Sequence, residues 1–161
     1  MLSGQMQTVP GDALEVGVWR GGSGALIARR LAHTEKKIFL ADTFQGVVGA
    51  GINDSKYVGG EHSDVSISQV KRLMHDLKVE NVVILPEIFP EETGHLVSGP
   101  LSFVHVDVDV YESAKRVMEF IEPFLSPGAI VVFDDYGFSG CEGVTKIVNE
   151  LVMKNGRLFT I

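Results

Sequence analysis

The chain of 161 residues is 45% hydrophobic and 22% charged, a balance that fits one packed domain and excludes a disordered polymer. Its net charge of −7 gives no drive toward nucleic acid or an anionic membrane surface, and no apolar run reaches the roughly 20 residues that cross a bilayer. The single cysteine, Cys141, can form neither an internal disulfide nor a cysteine-rich zinc site, and the first residues lack the basic and apolar regions of a signal peptide, so the cytoplasm is the expected location.

After Pro10-Gly11, residues 13–18 read as a strand running into a glycine-rich turn, Trp19-Arg20-Gly21-Gly22-Ser23. Ser23 is placed to cap a helix through about Leu31, and residues 37–41 form a second strand ending at Asp42. Strand, glycine turn, helix, strand and acid make a βαβ unit with a parallel pair. Residues 43–64 lose all periodicity and carry Gly46, Gly49, Gly51, Gly59 and Gly60, the composition of a lid or binding loop. Helical spacing returns over 65–77, with Val70, Leu73, Met74 and Leu77 inward, and residues 81–85 form a third strand. A brief helix is expected within 87–96.

The next stretch, S-F-V-H-V-D-V-D-V-Y-E-S over 102–113, alternates strictly. Extended, it places Val104, Val106, Val108 and Val110 on one face and His105, Asp107 and Asp109 on the other. A helix over 113–124 leads to a strand over 129–133 that ends in Asp134-Asp135, then a helix over 142–154 and a terminal strand over 157–161. About six strands alternating with helices predict a doubly wound α/β fold, with a mainly parallel sheet and helices on both faces.

Two constellations carry chemistry. In the first, Glu15-x-Gly17-x-x-x-Gly21-x-Ser23 differs from the G-x-G-x-x-G that cradles a pyrophosphate. An acid at that turn repels a pyrophosphate but attracts a cationic ligand, and Asp42 at the tip of strand two is placed to accept from ribose hydroxyls. The set favours S-adenosylmethionine, although Glu15 alone is also readable as a solvated strand-end acid. In the second, Asp107, Asp109, Asp134 and Asp135 offer only hard oxygen donors at two strand tips, which suits magnesium, calcium or manganese. The bland alternative makes Asp109 a helix cap and Asp135 the start of a turn. His105 reads as a hydrogen-bonded core residue, His62 as a solvated or substrate-side group, and Cys141 as a semi-buried residue without a catalytic role.

Four stretches, P-G-D-A-L-E-V-G-V-W-R-G-G-S, A-D-T-F-Q-G, F-V-H-V-D-V-D-V-Y-E-S and P-G-A-I-V-V-F-D-D-Y-G, together resemble the macrocin O-methyltransferase-like enzymes. These are class I, S-adenosylmethionine- and divalent-metal-dependent sugar O-methyltransferases with a Rossmann-like fold. The resemblance implies that Glu15, Gly17, Gly21 and Ser23 line the methionine part of the donor, and that Asp42, Thr43 and Phe44 hold its ribose and adenine edge. It also implies that Asp107, Asp134 and Asp135 hold the metal, magnesium or another hard divalent cation, with Asp107 as general base. The acceptor would be a hydroxyl of a sugar or glycosylated small molecule.

The sequence departs from the family pattern in three places. The segment after strand three, beginning Pro86-Glu87, lacks the glycine often found before the aromatic. The chain is expected to start almost at the first strand, without an amino-terminal helical region, and to stop before the closing hairpin. The sheet would then have an exposed edge that a second copy could cover. Two other functions fit the acids or the short chain: a metal-dependent glycosyltransferase using the D-x-D tip, and a cofactor-binding subunit without activity of its own.

Overall fold

The computed structural model describes residues 2–155. In chain order these form α1 (Leu2–Thr8), β1 (Asp12–Val16), α2 (Gly22–Leu31), β2 (Ile38–Asp42), α3 (Ile67–Asp76), β3 (Val82–Pro86), β4 (Leu101–Val106), α4 (Tyr111–Ile121), β5 (Leu125–Phe133) and α5 (Glu142–Asn155). The strands make one five-stranded sheet in the order β3-β2-β1-β4-β5. Every pairing in it is parallel. Among the described residues five strands stand where about six were expected; the anticipated strand over 157–161 lies outside them.

The strands are nearly continuous apolar runs because both faces are covered. On one face Leu14, Val16, Val104 and Val106 pack against Ala114, Val117 and Ile121 of α4 and Val144 and Ile147 of α5. On the other, Ala13, Ile38, Leu40 and Phe103 pack against Ala25, Ala28 and Leu31 of α2, Val70 and Met74 of α3, and Met6 of α1. The amino-terminal segment is therefore a short helix docked on the sheet layer, where an immediate start at the strand was expected.

Local chemistry explains where elements begin and end. The helix α3 opens with a capping box: Ser66 Oγ accepts from Gln69 N at 3.4 Å, and Gln69 Oε1 accepts from Ser66 N at 2.7 Å. At α2 the cap is Gly21, left-handed at φ 80°, and Ser23 sits inside the first turn without a capping bond. The expected Ser23 cap is thus replaced by a glycine whose backbone alone makes the turn. The strand β4 ends at Val106, so Asp107 and Asp109 lie beyond the regular ladder and the strict alternation expected through Val110 stops early. Asp109 takes a left-handed φ of 64°, which redirects the chain into α4. Nor does Asp109 cap that helix: Tyr111 N donates at 2.9 Å to Asp54 Oδ1, in the loop between β2 and α3. The helix expected within 87–96 is reduced to a 3₁₀ turn, Gly94–Leu96.

From β1 the chain builds outward through β2 to β3, then crosses to place β4 on the other side of β1. Strand order reverses between β1 and β4, which opens a crevice at their carboxyl ends, where open α/β sheets bind ligands.

Candidate functional site

A cavity of about 490 Å³ fills that crevice, within the ordinary range for small-molecule sites. Its floor is the carboxyl edge of the sheet: Gly17 after β1, Asp42 and Thr43 at β2, and Asp107 and Asp109 after β4, with Asp134 after β5. Val47, Val48, Lys56, Tyr57 and His62 of the loop between β2 and α3 form much of its wall. The segment expected as a lid is therefore a wall of the cavity.

Gly17 stands at φ 87°, and a Cβ there would lie 1.7 Å from the Asp107 carbonyl oxygen. No other residue allows β1 and β4 to approach so closely at their tips. Asp42 ties two turns together: Oδ2 accepts from Val18 N and Trp19 N, each at 2.8 Å, and Oδ1 from Phe44 N at 2.7 Å. A carboxylate has about four lone-pair positions, so capacity remains for a ligand hydroxyl. Thr43 Oγ1 donates to Gly46 O at 3.1 Å, holding the start of the loop.

The other expected donor contacts stand apart from the cavity wall. Glu15 is fully buried in β1, opposite His105 of β4 in the parallel register. Its Oε1 lies 2.9 Å from His105 Nδ1, and its Oε2 has no hydrogen-bond partner and presses toward Gly24, where a Cβ would come within 2.5 Å. Gly21 packs under Val70 and Met74, half-buried Ser23 lies in α2, and Phe44 packs with the α2–α3 face of the core.

The acids separate into two sets because neighbours along a strand end point to opposite sides. Asp107 and Asp134 open into the cavity. Asp135 is 7% exposed and lies behind: its Oδ2 accepts from Asp109 N at 2.9 Å, and the Cys141 thiol lies 3.6 Å from its Oδ1. Burial, with the Asp135 and Asp134 carboxylates nearby, pushes Asp107 up to about 7, and His105 partly offsets this. Burial also raises Asp135, against the Asp109 N–H bond that favours its ionised form. The Cys141 thiol is pushed up to about 12 by burial and by Asp135 and Asp109. Burial lowers His105, but the Glu15 bond and the charges of Glu15, Asp107 and Asp134 outweigh it and raise the group overall.

Among the described residues, donor atoms of Asp109, Asp135 and Cys141 fall within 4.8 Å of one another, whereas Asp107, Asp134 and Asp135, expected as the ligand set, do not converge at that spacing. A thiol is a soft donor and a poor ligand for a hard cation, so the carboxylates are the stronger donors. Crowded carboxylates that raise one another's protonation are the electrostatic setting a divalent cation relieves, and the donor set fits magnesium or manganese.

Several wall residues gave no signal in the sequence. Trp19, Tyr57, Phe89 and Phe138 line the cavity, as does Glu87, which holds a left-handed φ of 93°. All belong to turns or aperiodic segments.

The parallel sheet, its switch-point cavity and the acids at the strand tips define a Rossmann-like α/β protein of the class I methyltransferase type. The profile described as Macrocin-O-methyltransferase (TylF) matches residues 3–155, and the chain belongs to that family. It is 33% identical over 145 residues to 8-demethyl-8-(2,3-dimethoxy-alpha-L-rhamnosyl)-tetracenomycin-C 4'-O-methyltransferase of Streptomyces olivaceus, covering 83% of this chain and 56% of that protein. With demethyldecarbamoylnovobiocin O-methyltransferase of Streptomyces niveus the identity is 33% over 142 residues, covering 80% of this chain and 53% of the relative. The chain thus spans little more than half the length of these relatives. The solved structure of the O-methyltransferase NovP superposes with a TM-score of 0.81 at 28% identity, covering 99% of this chain and 74% of that one. Calicheamicin methyltransferase CalS11 shares the fold with a TM-score of 0.86 at 20% identity, over 99% of this chain and 71% of that one.

Proposed function

We propose that this chain carries S-adenosylmethionine-dependent, magnesium-dependent methylation of a hydroxyl on a sugar or glycosylated small molecule. The observation that carries the reading is the contact between Gly17 and the Asp107 carbonyl. It sets the turn that receives a methyl donor against the acid that receives a proton, in one cavity. The relatives' names, which include a 4'- and a 3''-O-methyltransferase of glycosylated natural products, support a sugar-like acceptor.

Methyl transfer from a sulfonium asks little covalent chemistry of the protein. It needs the acceptor oxygen aligned with the methyl carbon and relieved of its proton. Gly17, Asp42 and Thr43 line the donor side of the cavity, and Asp107, Asp109 and Asp134 the acceptor side. Asp107 is the general base. Its carboxylate lines the cavity and is the group placed to take the proton of the acceptor hydroxyl. A hard divalent cation would be held by Asp107 and Asp134 with Asp135 behind them, and when bound it supplies positive charge that favours the alkoxide form of the acceptor. Asp134 reaches the site from an exposed position beside His105, and Asp109 orders the turn through its backbone N–H bond to Asp135.

Replacing Asp107 by Asn tests the assignment. Turnover of a glycosylated acceptor should be abolished, while calorimetric binding of S-adenosylhomocysteine stays close to wild type. Undiminished methyl transfer in that variant, or in excess chelator, rejects the mechanism.

A further inference from the structure

The segment between β2 and α3 leaves at Asp42 and returns past Asp64, and both acids bind the same residue, Trp19. Asp42 Oδ2 accepts from the Trp19 backbone N–H at 2.8 Å, and Asp64 Oδ1 accepts from the indole Nε1–H at 2.9 Å. Arg20 donates to Asp64 Oδ2 at 2.6 Å and lies over the indole, 4.4 Å from the ring centroid. His62 meets the same ring edge-on, with centroids 5.7 Å apart and planes at 72°. The two limbs of the loop are joined to each other, Val47 N donating to Glu61 O at 2.8 Å and Gly60 N to Val47 O at 2.9 Å.

Trp19 adopts φ 44°, a left-handed conformation that a bulky side chain rarely holds unless its surroundings fix it. Trp19 is part of the cavity wall with Gly17 and Asp42, whereas Asp64 is not. The carboxylate is exposed and so cheap to alter, yet it holds the indole N–H. The hydrogen bonds from Trp19 and Arg20 keep Asp64 below the usual carboxylate range, so it is an acceptor throughout the neutral region.

We propose that Asp64 is a positioning residue for the methyl donor: by fastening the indole of Trp19 it joins the loop to the glycine turn and sets the donor side of the cavity. This rests on the assignment of that side to S-adenosylmethionine. A wall organised before binding spares the ligand the cost of ordering it, so loss of the fastening acts on affinity and residence time.

Trp19 is the only tryptophan, so its fluorescence reports the clamp without labelling. The experiment compares wild type, Asp64→Ala and Asp64→Asn for calorimetric affinity toward S-adenosylhomocysteine and for acrylamide quenching in the unliganded protein. Asp64→Ala should bind about tenfold more weakly and quench more readily, while Asp64→Asn, which keeps an acceptor for the indole N–H, should stay within about threefold. Equal weakening in both variants points to the charge of Asp64 alone and overturns the proposal. So does Asp64→Ala binding at wild-type strength. A wild-type protein that does not bind S-adenosylhomocysteine rejects the donor assignment itself, and unchanged quenching in Asp64→Ala then rejects the clamp as well.

Discussion

Glu15 and His105 face each other across β1 and β4, with Oε1 2.9 Å from Nδ1, between positions filled by Leu14, Val16, Val104 and Val106. Glu15 is fully buried and has His105 as the partner of its Oε1. The other ring nitrogen, Nε2, lies 3.5 Å from Asp134 Oδ1. One polar row therefore runs from the middle of the sheet to the cavity. Removing one member of a buried pair strands the other, at a cost of about 3–5 kcal/mol, whereas replacing both by apolar groups is often near neutral. Urea unfolding should show His105→Ala destabilised by about that amount. The double change of Glu15 and His105 to Leu should lie closer to wild type than His105→Ala does. A double variant as unstable as the sum of the singles rejects the pairing as the source of the effect.

The same groups set a pH dependence. Asp107 is raised from 3.8 to about 7 in the folded protein, which therefore keeps a proton that the unfolded chain releases, and stability is lost from about pH 4 until pH has risen through about 7. His105 is raised above 6.5, so the stabilisation it gives is complete below that pH and is lost as pH passes its folded value. Both act in one direction: the urea midpoint of the metal-free protein should fall from about pH 6 to about pH 8. Manganese should oppose the fall, with calorimetry in buffers of different ionisation enthalpy showing release of roughly half a proton at pH 7 and almost none at pH 9. A midpoint that is flat across this range means that Asp107 titrates as an ordinary aspartate.

The fold was readable in the sequence because a parallel sheet covered on both faces needs near-continuous apolar strands, and residues 38–41 and 82–85 are such runs. Gly17, Asp42, Asp107 and Asp134 were readable because each sits at a strand tip, where position follows from the element before it. What could not be read depends on pairing between distant segments. Glu15 looked like an edge residue until the register placed His105, ninety positions away, beside it in the sheet. Trp19 and Asp64, 45 positions apart, belong to two aperiodic turns, and only the path of the loop brings them together. Ser23 lost the cap to Gly21 because a left-handed glycine turns the chain without a side-chain bond.

The loop also caps a helix that it does not belong to. Asp54 Oδ1 accepts from Tyr111 N, the first residue of α4, at 2.9 Å, and Oδ2 accepts from Gly51 N at 2.9 Å. Ser113 Oγ donates to Val48 O at 2.6 Å in the same turn. Asp54→Ala leaves the start of α4 uncapped and should cost about 1 kcal/mol in urea unfolding, in the usual range for a lost N-cap. Hydrogen exchange should quicken at residues 110–113 and 47–55 together, because one carboxylate serves both. Exchange confined to the loop would show that water replaces the cap without loss.

Gly17 is the position where the two halves of the site meet, and it tolerates the least change. A Cβ would sit 1.7 Å from the Asp107 carbonyl oxygen and 2.7 Å from its carbonyl carbon, both of them backbone atoms that cannot rotate away. The φ of 87° adds a conformational penalty for any other residue. Relief requires β1 and β4 to separate at their tips, but the bond from Asp107 N to Val16 O at 2.9 Å holds them together, while Gly17 N, bonded to Ala41 O at 2.9 Å, ties the β1 tip to β2 on its other side. Gly17→Ala should therefore destabilise the protein by more than about 3 kcal/mol, the range of a severe overpacking change joined to backbone strain. Any folded fraction should also bind S-adenosylhomocysteine more weakly, since the displaced turn lines the donor side of the cavity. Gly22, where a Cβ meets nothing within 4 Å and φ is not positive, is the matched control: Gly22→Ala should unfold within about 0.5 kcal/mol of wild type. Equal stability of the two variants would show that the strand tips separate freely, and the close approach of β1 to β4 would then not be what organises the site.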